Sequence, residues 1–316
     1  MIVGKRRPLG GWWGGPIVFL APAVILFVLL FAGPAVSSMY VSLCKWTGFT
    51  PEMKFTGFRN FGKLMGDFGI QKTFPWVFTN GDARFWAGVK NNLWIMSVGG
   101  VLFFFFAMLF AAALNNPHFK GRKFFQTMIF FPAFISVVGT AVFWKLIYNS
   151  KSGLINLAIR GMGGEGIQWL DPKNAMYSII VMMIWAGVGG TMILLLAGMR
   201  RIPRDYYEAA EIDGASAPQQ FFHLTIPMMR EVVIIALSLW MIGSMKVFGY
   251  VQALLAPAIS DEAQVISTLQ YEYAFSNRNC IFMMGRATSM AVVQLIMVLL
   301  LVWAVRSFRE RQSVEY

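Results

Sequence analysis

Six largely apolar stretches run through this chain, at about 16–43, 89–114, 124–148, 175–198, 231–256 and 287–306. Each meets the requirement of roughly 20 residues for a helix crossing a bilayer core about 30 Å thick. Composition agrees: hydrophobic residues make up 57% of the 316 positions and charged residues 13%, about half the usual charged share. The chain is therefore read as one polytopic, all-α membrane domain over 1–316 with six transmembrane helices. Lys5, Arg6 and Arg7 mimic the charged start of a signal peptide. The apolar run behind them continues through Val36 and Tyr40 to Leu43, too long for a cleavable segment, so it is read as a retained span.

One stretch of mixed polarity, 203–227, interrupts this pattern with PRDYYEAAEIDGASAPQQFFHLTIP. Pro203 suits a first helical turn, and Asp205 and Glu208 place negative charge near the positive end of the helix. Gly214 is placed to close that helix in a left-handed conformation. Ser216 is a cap for a second short helix with Pro218 in its first turn, and Pro227 ends the unit before the next apolar run. A compact helix–turn–helix knob between two spans, with the small residues Ala209 and Ala210 on it, reads as a docking device.

Short loops set the orientation. Lys120, Arg122 and Lys123, then Arg200, Arg201, Arg204 and Arg230, then Arg306, Arg309 and Arg311 fall on one side. The positive-inside rule makes that side cytoplasmic, with both termini and the knob. Basic residues flanking spans also account for the net charge of +12 better than nucleic acid does. The bias is imperfect, because the first outer loop, 44–88, also holds several basic residues. Cys44 and Cys280 both fall in outer segments; a single disulfide stays open, with two unrelated thiols the preferred reading.

Catalytic chemistry is missing. The two histidines, His118 and His223, have no cysteine or carboxylate at metal spacing. No phosphate-binding, hydrolase or dinucleotide pattern occurs, and GMGGEG at 161–166 reads as a flexible turn. Carboxylates are nearly absent from the spans, so a proton relay has nothing to run on. Uphill movement would need a partner to supply the work.

Residues 208–227 closely resemble the EAA loop of bacterial binding-protein-dependent ABC importers, with Glu208, Ala209, Ala210, Asp213, Gly214, Ala215, Phe222 and Pro227 in register. The carbohydrate branch is resembled further by FTGFRNF at 55–61, by 121–156 with Phe125, Pro132, Trp144 and Gly153, and by WLDPKNAM, KVFGYV, YEYAF and GRATSMAV. The chain departs from that branch at ALLAPAISDEAQV, 253–265, and in a longer outer loop at 66–84. The resemblance implies a type I ABC importer permease fold in the bacterial inner membrane. It implies a cytoplasmic coupling helix seated in an ABC ATPase homodimer or heterodimer, a second permease subunit and an extracytoplasmic solute-binding protein. ATP and Mg belong to the ATPase; this chain binds no cofactor itself.

For the solute path the resemblance points to Trp185, Ala186, Gly187 and Gly190 in the fourth span, and to Trp240, Gly243, Ser244 and Val247 in the fifth. Aromatic faces stack on sugar rings, glycines leave room and Ser244 offers a hydrogen bond. Tryptophan and glycine are also ordinary packing residues in membrane bundles. Lys246, unusual within a span, either faces the path, where it would suit an acidic saccharide, or snorkels to the outer interface. Sugar import is the expected function. The same machinery carrying glycerol-phosphate or a polyamine is the alternative, and a membrane-embedded transferase lacks the acidic or histidine cluster it would need.

Overall fold

In the computed structural model, residues 14–71, 74–79, 81–257, 259–275 and 282–310 are described. The first span joins α1 (Gly14–Phe27) to α2 (Gly33–Ser42) through a π turn at Val28–Ala32. Pro34 has no N–H to give to the helical ladder, which accounts for a widened turn at this point. The apolar window of this Phe19–Ser42 helix has no buried residue, and only Val41 and Ser42 at its end are buried. Outside it lie the strand pair β1 (Cys44–Lys45) and β2 (Lys54–Phe55), then α3 (Arg59–Met65). A second antiparallel pair, β3 (Asp67–Gln71) and β4 (Phe74–Thr79), lies in the long loop between the first two spans. These two small hairpins are the only strands among the described residues, so the all-helical reading holds for the membrane domain.

The second span runs from α4 (Ala83–Trp94) into α5 (Gly100–Asn115). Asp82 starts it by accepting the N–H groups of Arg84 and Phe85. The third span is not continuous: α6 (Arg122–Phe130) and α7 (Val137–Ile147) meet at 103° across a 3₁₀ turn, Phe131–Phe134. Pro132 opens that turn and Ser136 caps the new helix by accepting from the Gly139 N–H. After α8 (Leu154–Gly161) comes α9 (Ala175–Met199), the central helix, with 56% of its apolar window buried. A helix apolar on every side is what a bundle core requires. Gly163, at φ +85°, caps α8, so GMGGEG begins as a defined helix end.

The polar knob contains α10 (Arg204–Ile212), α11 (Ala217–Gln220), a π turn at Phe221–Thr225 and α12 (Ile226–Met228). Pro227 does not end the unit; it sits inside this last turn, and the chain bends by 74° two residues later into α13 (Arg230–Met245). The fifth span is also broken. α13 has 16 residues, about 24 Å of helix, short of a bilayer core. The chain then turns at Lys246–Val247 into α14 (Phe248–Leu255), which packs on α7. A cis Ala256–Pro257 bond follows. Finally α15 (Ile266–Phe275) leads to the last span, α16 (Met284–Glu310).

Two polar knots join these pieces at the end of the bundle away from the knob. Asn92, fully buried, donates to the Ser244 carbonyl at 2.9 Å and accepts from the Ile266 N–H at 3.0 Å. Arg84 holds Glu272 with two hydrogen bonds, at 3.0 and 2.6 Å, and reaches Asp261 at 3.0 Å.

Candidate functional site: an exposed knob and a cavity between the helices

The knob is built by its termination signals. Gly214 adopts φ +80°. The Ala215 N–H reaches back to the Ala210 carbonyl and the Gly214 N–H to that of Glu211. This double closure satisfies carbonyls that the end of α10 would otherwise leave open. Ser216 and Gln219 form a reciprocal capping box, with Pro218 in the first turn of α11. Tyr207 on α10 shares a hydrogen bond of 2.9 Å with Thr225, tying the first helix to the turn that feeds α13. His223 has its Nδ1 3.1 Å from the Gln219 carbonyl.

Around this frame, Glu208, Ala209, Asp213, Gly214, Phe222 and Pro227 are exposed, and Ala210 and Ala215 are half-buried. Ile212 is 86% exposed and Phe222 62%. A small-residue helix face flanked by uncovered apolar side chains and carboxylates suits insertion into a groove. Behind it, a cavity of about 680 Å³ separates the knob from the ends of α5 and α9, lined by Asn116, Arg122, Arg200, Tyr207, Glu208 and Glu211.

The path residues named from sequence do not form one surface. Trp185 stacks on Phe143 at 5.7 Å and sets its edge to Trp144 at 5.8 Å. Ala186 is buried, and Gly187 makes room for the Phe103 ring, 3.1 Å from where a Cβ would stand. Gly190 faces open space. Trp240 donates to the Met96 carbonyl at 3.0 Å and stacks on Phe103 at 4.2 Å, in a notch left by Gly99 and Gly100. Ser244 and Val247 are buried, and the Ser244 hydroxyl bonds within its own helix to Met241. Gly243 and Lys246 are exposed.

Lys246 borders a cavity of about 710 Å³ between α13, α15 and α16. Its walls carry Phe248, Tyr271 and Phe275, stepped at ring distances of 5.4 and 5.5 Å, with Gln270 and Gln294 bonded to each other at 2.7 Å. Of this group, Lys246 alone is among the path residues expected from the sequence. The signal was present in YEYAF, but nothing local says that α15 folds back against α16 and faces α13 across the cavity. No cluster of metal-ligating side chains occurs among the described residues.

A family model for the binding-protein-dependent transport system inner membrane component matches residues 91–314. The chain belongs to that family. The permease is 31% identical over 290 residues to the probable ABC transporter permease protein YurN of Bacillus subtilis (strain 168), covering 90% of this chain and 92% of that one. It is 31% identical over 301 residues to the alpha-glucoside transport system permease protein AglF of Rhizobium meliloti (strain 1021), covering 92% and 82%. Its fold matches a bacterial ABC transporter involved in the import of the acidic polysaccharide alginate, at TM-score 0.77 and 23% identity over 94% of this chain and 96% of that one. The importer permease fold therefore stands, and the permease is a transport subunit.

Proposed function

We propose that this chain is one permease subunit of an ATP-driven importer that moves a sugar or oligosaccharide across the bacterial cytoplasmic membrane. It works as a single permease domain, both termini inside, paired with a second permease. An extracytoplasmic binding protein delivers the solute, and an ABC ATPase dimer holding ATP and Mg supplies the work. The observation that carries the reading is the exposed knob, Glu208 to Ala215, closed rigidly at Gly214 and tied through Tyr207 and Thr225 to α13. ATPase closure would move α10, and the tie would carry that movement into the fifth span. The names of the relatives, which include permeases for alpha-glucosides, trehalose/maltose and lactose, favour a saccharide over glycerol-phosphate or a polyamine.

Within this reading, Trp185, Ala186, Gly187 and Gly190 with Trp240, Gly243, Ser244, Lys246 and Val247 shape the solute path. Lys246 reaches the solute, and the packed members hold the wall in place. The test is reconstitution of the complete transporter with its binding protein, followed by ATPase and uptake assays across neutral oligosaccharides, uronate oligosaccharides, glycerol-phosphate and polyamines. Stimulation by a saccharide is expected; stimulation by polyamine or glycerol-phosphate alone would overturn the sugar assignment.

A further inference from the structure

The outer end of the bundle holds a second pocket that the transport reading leaves unused. It measures about 270 Å³ and is lined by Lys45, Arg59, Lys63 and Arg286, with Trp46 and Asn60. Its walls are firmly built. Asn60 donates to the carbonyls of Ser42 and Cys44, both at 2.8 Å, and the Gly285 N–H reaches the Trp46 carbonyl at 3.2 Å. Gly285 is required there, because a Cβ would fall 2.0 Å from the Cys44 carbonyl oxygen. Across the β1–β2 register Lys45 faces Lys54, a like-charge pair that weakens a strand ladder. Among the described residues no carboxylate pairs with any of the four cations that line the pocket; Arg286 lies over the Tyr273 ring at 5.6 Å. Partial burial, then Arg286, Arg59 and Lys45, pull the Lys63 ammonium below its ordinary range. Lys45, Arg59 and Lys63 are exposed and Arg286 is half-buried, so one open pocket presents four cations with no paired carboxylate among the described residues.

We propose that Lys45, Arg59, Lys63 and Arg286 bind the phosphate of an anionic phospholipid in the outer leaflet. Position decides the source of the phosphate. The pocket lies level with the ends of two membrane spans, since α2 stops at Ser42 and α16 starts at Met284. The neighbouring first span is unburied along its apolar window, which leaves a surface for acyl chains. In the segments that supply the pocket, Tyr40, Phe49, Phe55 and Phe58 are 56%, 67%, 61% and 76% exposed, and Phe49 meets the pocket's Phe282 at 4.6 Å; exposed aromatic side chains suit headgroup height. Cations on the outer side run against the positive-inside bias, and a bound anionic headgroup gives them a counter-charge.

The assembled transporter, purified in mild detergent, tests this by native mass spectrometry of retained lipid and by thermal stabilisation with added phosphatidylglycerol, phosphatidylcholine or inorganic phosphate. Phosphatidylglycerol is expected to be retained and to stabilise at lower concentration than phosphatidylcholine. Lys63→Gln with Arg286→Gln should weaken that response about thirtyfold for two charges removed. Lys45→Gln on the surface strand should weaken it less and gives a readout if the double variant does not fold. An equal response to phosphatidylcholine would overturn the proposal, and so would equal stabilisation by inorganic phosphate. Unchanged lipid retention in the variants with weakened capture of the binding protein would instead make the pocket a protein-docking patch.

Discussion

The hydroxyls of Tyr207 and Thr225 lie 2.9 Å apart, joining the first helix of the polar knob to the turn that becomes the fifth span. Thr225 is buried and Tyr207 half-buried, so the contact is shielded from water. It short-cuts a chain that changes direction at Gly214 and again at Met229 on its way from α10 to α13.

Tyr207→Phe should therefore loosen the lever while leaving the knob folded. A net loss of about 1 kcal/mol is expected for one such hydrogen bond. In reconstituted transporter, ATP hydrolysis should persist while solute moved per ATP falls. Unchanged stoichiometry would show that the tie carries no force.

Gly214→Val puts a β-branched side chain at φ +80°, at about 1–2 kcal/mol. The double carbonyl closure of α10 should open, and co-purification of the ATPase should drop. Because a Cβ there meets no neighbour within 4 Å, crowding cannot explain the loss. Gly214→Asn, which tolerates the left-handed region, should retain most binding.

Two neighbouring glycines on α9 should respond differently. At Gly189 a Cβ would stand 2.3 Å from the Ile129 carbonyl oxygen, whereas at Gly190 nothing lies within 4 Å. Gly189→Ala should push α6 off α9 and destabilise by about 1–3 kcal/mol. Gly190→Ala should leave thermal stability nearly unchanged; equal melting temperatures for the two variants would refute the close approach of α6.

Arg84→Gln should loosen α15 on α4 by removing the contacts to Glu272 and Asp261, while the Asn92–Ile266 bond still holds the start of α15. Partial exposure limits the loss to about 1–2 kcal/mol. Arg84→Lys should recover only part of it, since an ammonium cannot reproduce the two-pronged contact. Hydrogen exchange in 266–275 would report the loosening directly.

Lys246→Met removes the cation bordering the large cavity. Uptake of uronate-bearing sugars should fall roughly tenfold, the value of one charge-assisted hydrogen bond, while neutral sugars are unaffected. Equal uptake of uronate sugars by both proteins would sink the assignment of Lys246 to an acidic cargo.

The knob was legible in the chain because each of its devices is local. Gly214, Ser216 and Pro218 act within one turn, and all three take up the conformations their chemistry favours. Pro227 was misread because proline is tolerated in the first turn of a new helix, so it marked a helix start and not a stop. The third and fifth spans were read as continuous because hydropathy does not register a bend. Pro132 and Ser136 break one, and the other turns at Lys246–Val247. Cys44 is a free, buried thiol, in line with two unrelated thiols, and Cys280 lies outside the described residues.

The sequence by itself determined that the chain is a helical membrane bundle with a docking knob, since apolar length and turn chemistry depend on neighbours a few residues away. Only tertiary structure decided that Trp240 fills a notch at Gly99 and Gly100, that Asn92 knots α4 to α13 and α15, and that Lys246 borders a cavity with Tyr271 and Phe275. These partners stand tens to hundreds of residues apart, and a side chain's surroundings follow from how the helices pack.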